Sequence, residues 1–430
     1  MMEKKIFESP LLGEHYVSFR HESGLPVFVF PKKMSATYAL FATDFGAVDN
    51  APPKDGMPPL PDGVAHFLEH KLFTNEDGSD AFEDFSALGA DANAYTSHTR
   101  TVYLFSATEQ PLAALHLLVR FVTHPYFTED TVAKEQGIIG EEIRMCRDNP
   151  YDRCYYNMLC GLYERHPVRV DICGSEASIA RITPEMLYAA HAAYYRPDNM
   201  VLIVCGDVAP DAVFSVVEQA LADLPPVAAA APVRVAAVES AGVHLARTEE
   251  MGQVAKPLFS IGVKDVNIPK DPHARLLRDA TMAILNEIVF GESGELYHAL
   301  FDEGLISPEF SANYALARDF AFNQIAGEAE NPDLVLARIL SYIEELKRKG
   351  IARADFDRAC HVEYAEYIKS FDSTEEIANT LLSFVFEGAE YFSYPAVLDE
   401  ITLDGVEALL RELFREEHIT LSVIQPRKES

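Results

Sequence analysis

Two histidines four residues apart with a glutamate between them, His66-Phe67-Leu68-Glu69-His70, are the residues of this chain best suited to chemistry. At about 100° per residue on an α-helix, His66, Glu69 and His70 fall within an arc of roughly 100°, so two imidazoles and a carboxylate face one point. Neutral imidazole is a good zinc ligand, and two of them leave room for a third protein ligand and a water whose pKa the metal lowers to about 7. Glu69 is then placed to take that water's proton. The alternative, three ionisable groups bonded only to one another in a core, is costly without a metal or a proton network to compensate them.

The order His-x-x-Glu-His inverts the His-Glu-x-x-His of thermolysin-type enzymes and is the inverzincin signature. A buried helix must carry it. Pro61-Asp62-Gly63 reads as a turn and helix start, after which Val64, Ala65, Phe67, Leu68, Leu72 and Phe73 leave almost no polar face beyond the motif and Lys71. A second helix, from about Glu129 to Met145, has Thr128 as its N-cap and acids in its first turn. On its wheel Glu135 and Glu142 differ by roughly 20°, with Ile138 and Ile139 on the same side and Glu141 about 100° away from Glu142. Two carboxylates thus lie in an apolar stripe, where an unpaired charge is expensive. Glu142 is the candidate third zinc ligand; Glu135, two turns earlier, is the candidate acid that supports the site or positions substrate.

Short β-rich runs, Val27 to Phe30 and Tyr38 to Ala42, precede the motif helix and suggest antiparallel strands. Thr101 to Ser106 reads as a strand, Gln110 to His124 as a helix, and Met200 to Cys205 as a buried strand. With 430 residues and 48% hydrophobic content, two domains of roughly 200 residues are expected. The Ala- and Pro-rich stretch Pro225 to Pro232 reads as part of a linker, giving domains 1–224 and 241–430 with residues 225–240 between them. Beyond it the order of elements restarts. Met282 to Phe290 can be laid on Ala65 to Phe73, with Leu285 on Leu68 and Phe290 on Phe73, but Ala283, Asn286 and Glu287 replace the triplet. Glu366 falls near where Glu142 would repeat, so a duplication is expected in which the first copy alone keeps the metal chemistry.

The formal net charge of -31 argues against a nucleic-acid partner, whose phosphates would be repelled. If part of that charge lines a cavity, cationic peptides would be drawn in; otherwise it serves solubility. Neither a signal core at the start nor a run of about 18 apolar residues is present, so a soluble, unexported, cytoplasmic protein away from membranes is expected. The six cysteines lack a Cys-x-x-Cys pair and read as reduced structural thiols.

Taken together, Gly63 to His70, Asn93-Ala94-Tyr95-Thr96-Ser97, Glu135 to Glu142, Tyr194 to Met200 and Gly206-Asp207 resemble the M16 metallopeptidase family, which includes pitrilysin, insulin-degrading enzyme and mitochondrial processing peptidase. The style, with Leu296-Tyr297 and Glu303 to Ile306, is closest to its small bacterial YmfH-like branch. The resemblance implies an α+β chain of two homologous domains, each an antiparallel sheet with helices packed on one face. It implies one Zn2+ per chain held by His66, His70 and Glu142, with Glu69 as general base and Glu135 as the family's additional glutamate. Asn93 and Ala94 match the segment where a substrate strand lies against the sheet edge, which fits β-augmentation. Dimeric members enclose a chamber that limits substrates to short or unfolded peptides. One departure concerns the second domain, where many members carry an Arg and a Tyr that bind substrate. Phe301 and Phe310 stand at the corresponding positions here. The expected function is therefore zinc-dependent endopeptidase, as a homodimer or in a heterodimer whose zinc-free relative supplies the missing groups. Its alternatives are a non-catalytic peptide-binding or assembly subunit with a structural zinc, and a dedicated peptide-maturation protease.

Overall fold

A computed structural model of the chain describes residues 4–52, 58–224, 234 and 237–427. The first half contributes strands β1 (Lys4–Ser9), β2 (Glu14–Arg20), β3 (Pro26–Pro31), β4 (Thr37–Thr43), β5 (Ala90–Thr96), β6 (Thr101–Ala107) and β7 (Met200–Gly206). Its helices are α1 (Val64–Leu72), α2 (Ala81–Ala87), α3 (Pro111–Thr123), α4 (Glu129–Asp148), α5 (Pro150–Leu162), α6 (Glu176–Ile179), α7 (Pro184–Tyr194) and α8 (Pro210–Ala220). The second half contributes β8 (Arg247–Gly252), β9 (Leu258–Lys264), β10 (Ser311–Leu316), β11 (Ala321–Glu328) and β12 (Ile419–Pro426). With them come α9 (Pro272–Phe290), α10 (Glu295–Asp302), α11 (Pro332–Lys349), α12 (Arg353–Lys369), α13 (Thr374–Glu387), α14 (Tyr394–Glu400) and α15 (Leu403–Leu413).

The chain is α+β, and its two sheets repeat one plan. The first has the order β1-β2-β3-β7-β4-β6-β5 and the second β10-β11-β9-β12-β8. Without β1 and β2, the orders match strand for strand when the second is read backwards. Each sheet also holds one parallel pair at the matching place, β3 with β7 and β12 with β8, among otherwise antiparallel neighbours. The sequence reading of purely antiparallel sheets is thus refined, because β7 and β12 each return from a long helical excursion to lie between two earlier strands of their sheet.

Helices cover more than one face. On the first sheet α3 packs over β4 and β6, with α1 against β5 and β6, while the opposite side of β4 and β7 is covered by α13 from the second half. Reciprocally, α5 from the first half lies on β9 and β12. This exchange explains why β4, β7 and β9 are buried at every position, since a strand covered on both faces has no polar side to present. Phe30 of the first sheet meets Phe371 and Phe392 across the junction, with ring centroids 6.1 and 6.2 Å apart. Each fully buried Leu or Phe in such a layer stabilises the fold by roughly 1.5–3 kcal/mol. The two halves therefore share core, and most of the expected linker, residues 225–240, lies outside the described residues.

Candidate metal centre

The motif helix begins where the chain can turn most sharply. Gly63 has φ of 88°, and a Cβ there would meet the Cys173 carbonyl oxygen at 2.5 Å, so glycine alone fits this left-handed position. From Val64 to Leu72 every residue of α1 is buried except His70, which is half-buried. Phe67 and Leu68 fill the first core, leaving His66, Glu69 and His70 on the side that meets α4 and β5. Thr128 caps α4 by accepting from the Thr131 backbone N–H at 3.2 Å. The buried residues Val132, Glu135, Ile139 and Ile143 then form the stripe that faces α1. Ile138, expected in that stripe, is instead 48% exposed, because it lies at the stripe's margin and α1 reaches only its centre.

These elements bring His66, His70 and Glu142 together, with one donor atom from each lying within 4.8 Å of the others. His66 Nε2 is 3.6 Å from Glu142 Oε1 and His70 Nε2 is 3.5 Å from Glu142 Oε2. Donors about 2.0–2.2 Å from one tetrahedral ion stand roughly 3.3–3.6 Å apart, so the spacing suits ligands that share a zinc. Burial, and secondarily His70, lowers the His66 pKa to about 3, which keeps the imidazole neutral as a ligand must be. His66 Nδ1 is buried with no hydrogen-bond partner among the described residues, whereas His70 Nδ1 donates to Glu135 Oε1 at 3.2 Å. Burial disfavours the charged His70 ring, but the Glu135 hydrogen bond and the carboxylates Glu69 and Glu142 outweigh it and raise its pKa. Two imidazoles, a carboxylate and an oriented ring nitrogen make a donor set that fits zinc.

Glu69 adjoins the three donors without being one of them. Burial raises its pKa, while the Thr96 hydroxyl, donating to Glu69 Oε2 at 2.5 Å, opposes that rise. Thr96 ends β5, so the sheet edge and the carboxylate are held in one register. Behind them the Tyr103 and Tyr195 hydroxyls are 2.8 Å apart in the core. Asn93 and Ala94 lie on β5, which pairs with β6 alone and forms the sheet's edge among the described residues. Asn93 is exposed, and its Oδ1 accepts from the Ala94 N–H at 2.8 Å. Phe301 is 45% exposed on α10, stacked on Tyr297, whereas Phe310 is buried in the second core beside Phe259 and Phe290.

Sequence reasoning assigns no role to Thr96 or to Lys71. Lys71 is 1% exposed, with Nζ 3.0 Å from Thr74 Oγ1 and 3.8 Å from Glu135 Oε2. The signal for it was a single lysine on an otherwise apolar helix, since lysine is almost never fully buried unless paired.

In the second half Ala283, Asn286 and Glu287 of α9 stand where the triplet stands in α1. Asn286 and Asn323 exchange amide hydrogen bonds of 2.9 and 2.8 Å, and Glu287 is held by Arg358 and Ser293. Glu366 is an exposed residue paired with Lys369. Among the described residues His66, His70 and Glu142 form the one group of this kind able to hold a metal ion, and no helix is long and apolar enough to cross a membrane.

Comparison with known proteins gives the family. Residues 58–174 match the family model "Insulinase (Peptidase family M16)", and residues 181–362 match "Peptidase M16 inactive domain". The first span contains the metal-binding triad and the second the altered copy. The uncharacterized zinc protease YmfH of Bacillus subtilis is 37% identical over 98% of this chain and 99% of its own length. Zinc protease PqqE of Helicobacter pylori is 25% identical over 85% of this chain and 83% of its own. The crystal structure of an M16-like peptidase from Alicyclobacillus acidocaldarius superposes with a TM-score of 0.92 at 33% identity, covering 98% of this chain and 100% of that one. Likeness at this level over nearly the full length of both chains means that this protein belongs to peptidase family M16.

Proposed function

We propose that the chain is a zinc-dependent endopeptidase that hydrolyses short or unfolded peptides inside a chamber formed by paired subunits. The observation that carries this reading is the convergence of His66, His70 and Glu142 donor atoms within 4.8 Å, with Glu69 adjoining them. A zinc ion held by those three residues would polarise the scissile carbonyl and acidify a water molecule. Glu69 accepts the proton of the attacking water and passes it to the departing amine nitrogen. Its raised proton affinity, from burial, suits a group that must hold the proton between those two events. Thr96 fixes the orientation of the carboxylate. Glu135 fixes the His70 ring from behind.

The free edge of β5, with Asn93 and Ala94, suits a peptide added as a further strand, whose main-chain hydrogen bonds make few demands on sequence. A cavity in the second half is lined by Asp279, Glu287, Glu292, Glu363 and Glu366; with Glu287 paired to Arg358 and Glu366 to Lys369, the acidity left over gives a mild preference for cationic peptides. The partner subunit is a second copy or a zinc-free relative. The latter would supply substrate contacts that Phe301 and the buried Phe310 do not.

Zinc stoichiometry measured together with cleavage of a quenched-peptide library tests the reading. The expected result is about one zinc per chain by ligand count, with turnover lost in Glu69→Gln. A chain that binds zinc and cleaves nothing, alone or with its co-purifying partner, would instead be a binding subunit with a structural metal. Robust cleavage by the pure chain, with every other subunit excluded by mass spectrometry, would rule out the need for a heterodimer.

A further inference from the structure

Lys71 belongs among the largest fully buried side chains of the protein, an unusual company for a lysine. Its ammonium group lies 3.0 Å from Thr74 Oγ1 and 3.8 Å from Glu135 Oε2, with the like charge of Lys134 also acting on it. Glu135 is itself buried and uses its other oxygen, Oε1, to accept from His70 Nδ1 at 3.2 Å. His70 Nε2, on the far side of the ring, points to Glu142. A continuous line of polar contacts therefore runs Thr74, Lys71, Glu135, His70, and ends among the metal-binding atoms. Among the described residues nothing comparable stands behind His66, whose Nδ1 has no partner there.

A carboxylate buried against a single imidazole can rotate, and its second oxygen would be left unsatisfied. Lys71 limits that freedom, because its charge draws Oε2 from an ion-pair distance of 3.8 Å while His70 holds Oε1 by a hydrogen bond. We propose that Lys71 is a positioning residue for the metal centre: it anchors Glu135 so that Glu135 sets the orientation of the His70 ring. This rests on the zinc reading given above. It deepens that reading by extending the working site to the next residue of the motif helix, which touches neither substrate nor metal. The second half offers a contrast within the molecule, since the apolar Ile288 follows Glu287 there in place of a lysine.

The sign of one measurement separates this role from simpler ones. A lysine that acted on the metal only as a like charge would weaken zinc binding, so Lys71→Met would tighten it. A lysine that anchors Glu135 strengthens zinc binding, so Lys71→Met should weaken it. Groups that support a ligating histidine from behind are worth about 10–100-fold in metal affinity. Apo-protein should be titrated with zinc in competition with a chromophoric chelator for the parent chain, Lys71→Met, Glu135→Gln and the double variant. We expect about a tenfold loss for Lys71→Met, a loss toward the upper end of that range for Glu135→Gln, and a double variant no weaker than Glu135→Gln alone. Unchanged or tighter binding by Lys71→Met overturns the proposal, as do losses that multiply in the double variant. If Lys71→Met does not fold, Thr74→Val, which removes only the hydroxyl bound to Nζ, carries the same test with a smaller expected loss. Parent affinity in that variant overturns the proposal equally. A parent chain that takes up no zinc sinks the peptidase reading as well, whereas a zinc-binding parent beside an unaffected Lys71→Met sinks this inference alone.

Discussion

In the first half, α1 lies beside α4 and presents His66, Glu69 and His70; in the second, α9 lies beside α12 and presents Ala283, Asn286 and Glu287 from the same place in the same strand order. The second set is closed on itself. Asn286 and Asn323 satisfy both of each other's amide groups, and Glu287 is taken up by Arg358. The first set is open. His66, His70 and Glu142 point donor atoms at a common region at separations too long for good hydrogen bonds and short enough for a shared ion. A buried polar group must be satisfied by something. In one copy the protein satisfies its own groups, and in the other it holds them ready for a ligand from outside. What distinguishes a metal site from its structural relic here is therefore the direction of its lone pairs, more than the number of its polar residues.

The largest effect should come from breaking the open set. His66→Ala, His70→Ala or Glu142→Ala should each abolish zinc retention through gel filtration, read by elemental analysis, whereas Ala283→Ser in the closed set should leave it at the parent level. Retention of a full equivalent of zinc by any of the three alanine variants would show that the donors have been misassigned. Next in size is Glu69→Gln, which keeps the shape of the carboxylate but cannot take a proton. Zinc content should stay at the parent value while kcat/KM falls by roughly 10²–10⁴, the usual worth of a general base. Parent turnover in that variant would remove Glu69 from the mechanism.

The closed set makes the opposite prediction. Asn286→Ala leaves Asn323, which is fully buried, with an unpaired amide, at a cost of about 1–3 kcal/mol in unfolding free energy. Zinc affinity should not change. Denaturant unfolding and a chelator competition on the same preparation separate the two quantities, and a loss of zinc without a loss of stability would reverse the assignment of the two copies.

The open set was legible in the sequence because its spacing is local. Three side chains on one helix turn, and two carboxylates two turns apart on another, need only the 3.6-residue period to be placed on a face. Ile138 marks the limit of that reasoning, since a wheel does not show how wide a stripe the neighbouring helix will cover. The α+β class followed from the family resemblance, whereas the duplication was also readable, from the second occurrence of the Leu-and-Phe frame at Leu285 and Phe290. The parallel pairs and the exchange of α5 and α13 were not. Those depend on which distant segments meet, and a strand buried on both faces reads the same whichever helix covers it. The roles of Thr96 and Lys71 are not legible in the sequence for a related reason: they lie in Glu69 and Glu135, which reach them only after β5 and α4 have packed against α1.

The smallest effect expected concerns protons, and it again sets the first half apart. Burial lowers the pKa of both His98 and His191 to about 4, with His166 adding to the effect at His98. His191 is neutral in the fold and donates from Nε2 to the Val122 carbonyl at 2.9 Å. In the unfolded chain each ring titrates near 6.5, so below that pH the unfolded state binds protons that the folded state refuses. Stability should therefore be full above about pH 6.5 and decline as the pH falls toward 4, by about 1.4 kcal/mol for each such ring at pH 5.5. His191→Gln can keep the hydrogen bond to Val122 without carrying a titrating group. Its unfolding free energy should then fall less steeply than the parent's between pH 7 and pH 5.5, in chelator-treated samples so that zinc release does not contribute. Parallel pH profiles for the two proteins would mean that His191 takes up its proton in the folded state, and that burial in the α3–α7 layer does not hold the ring neutral.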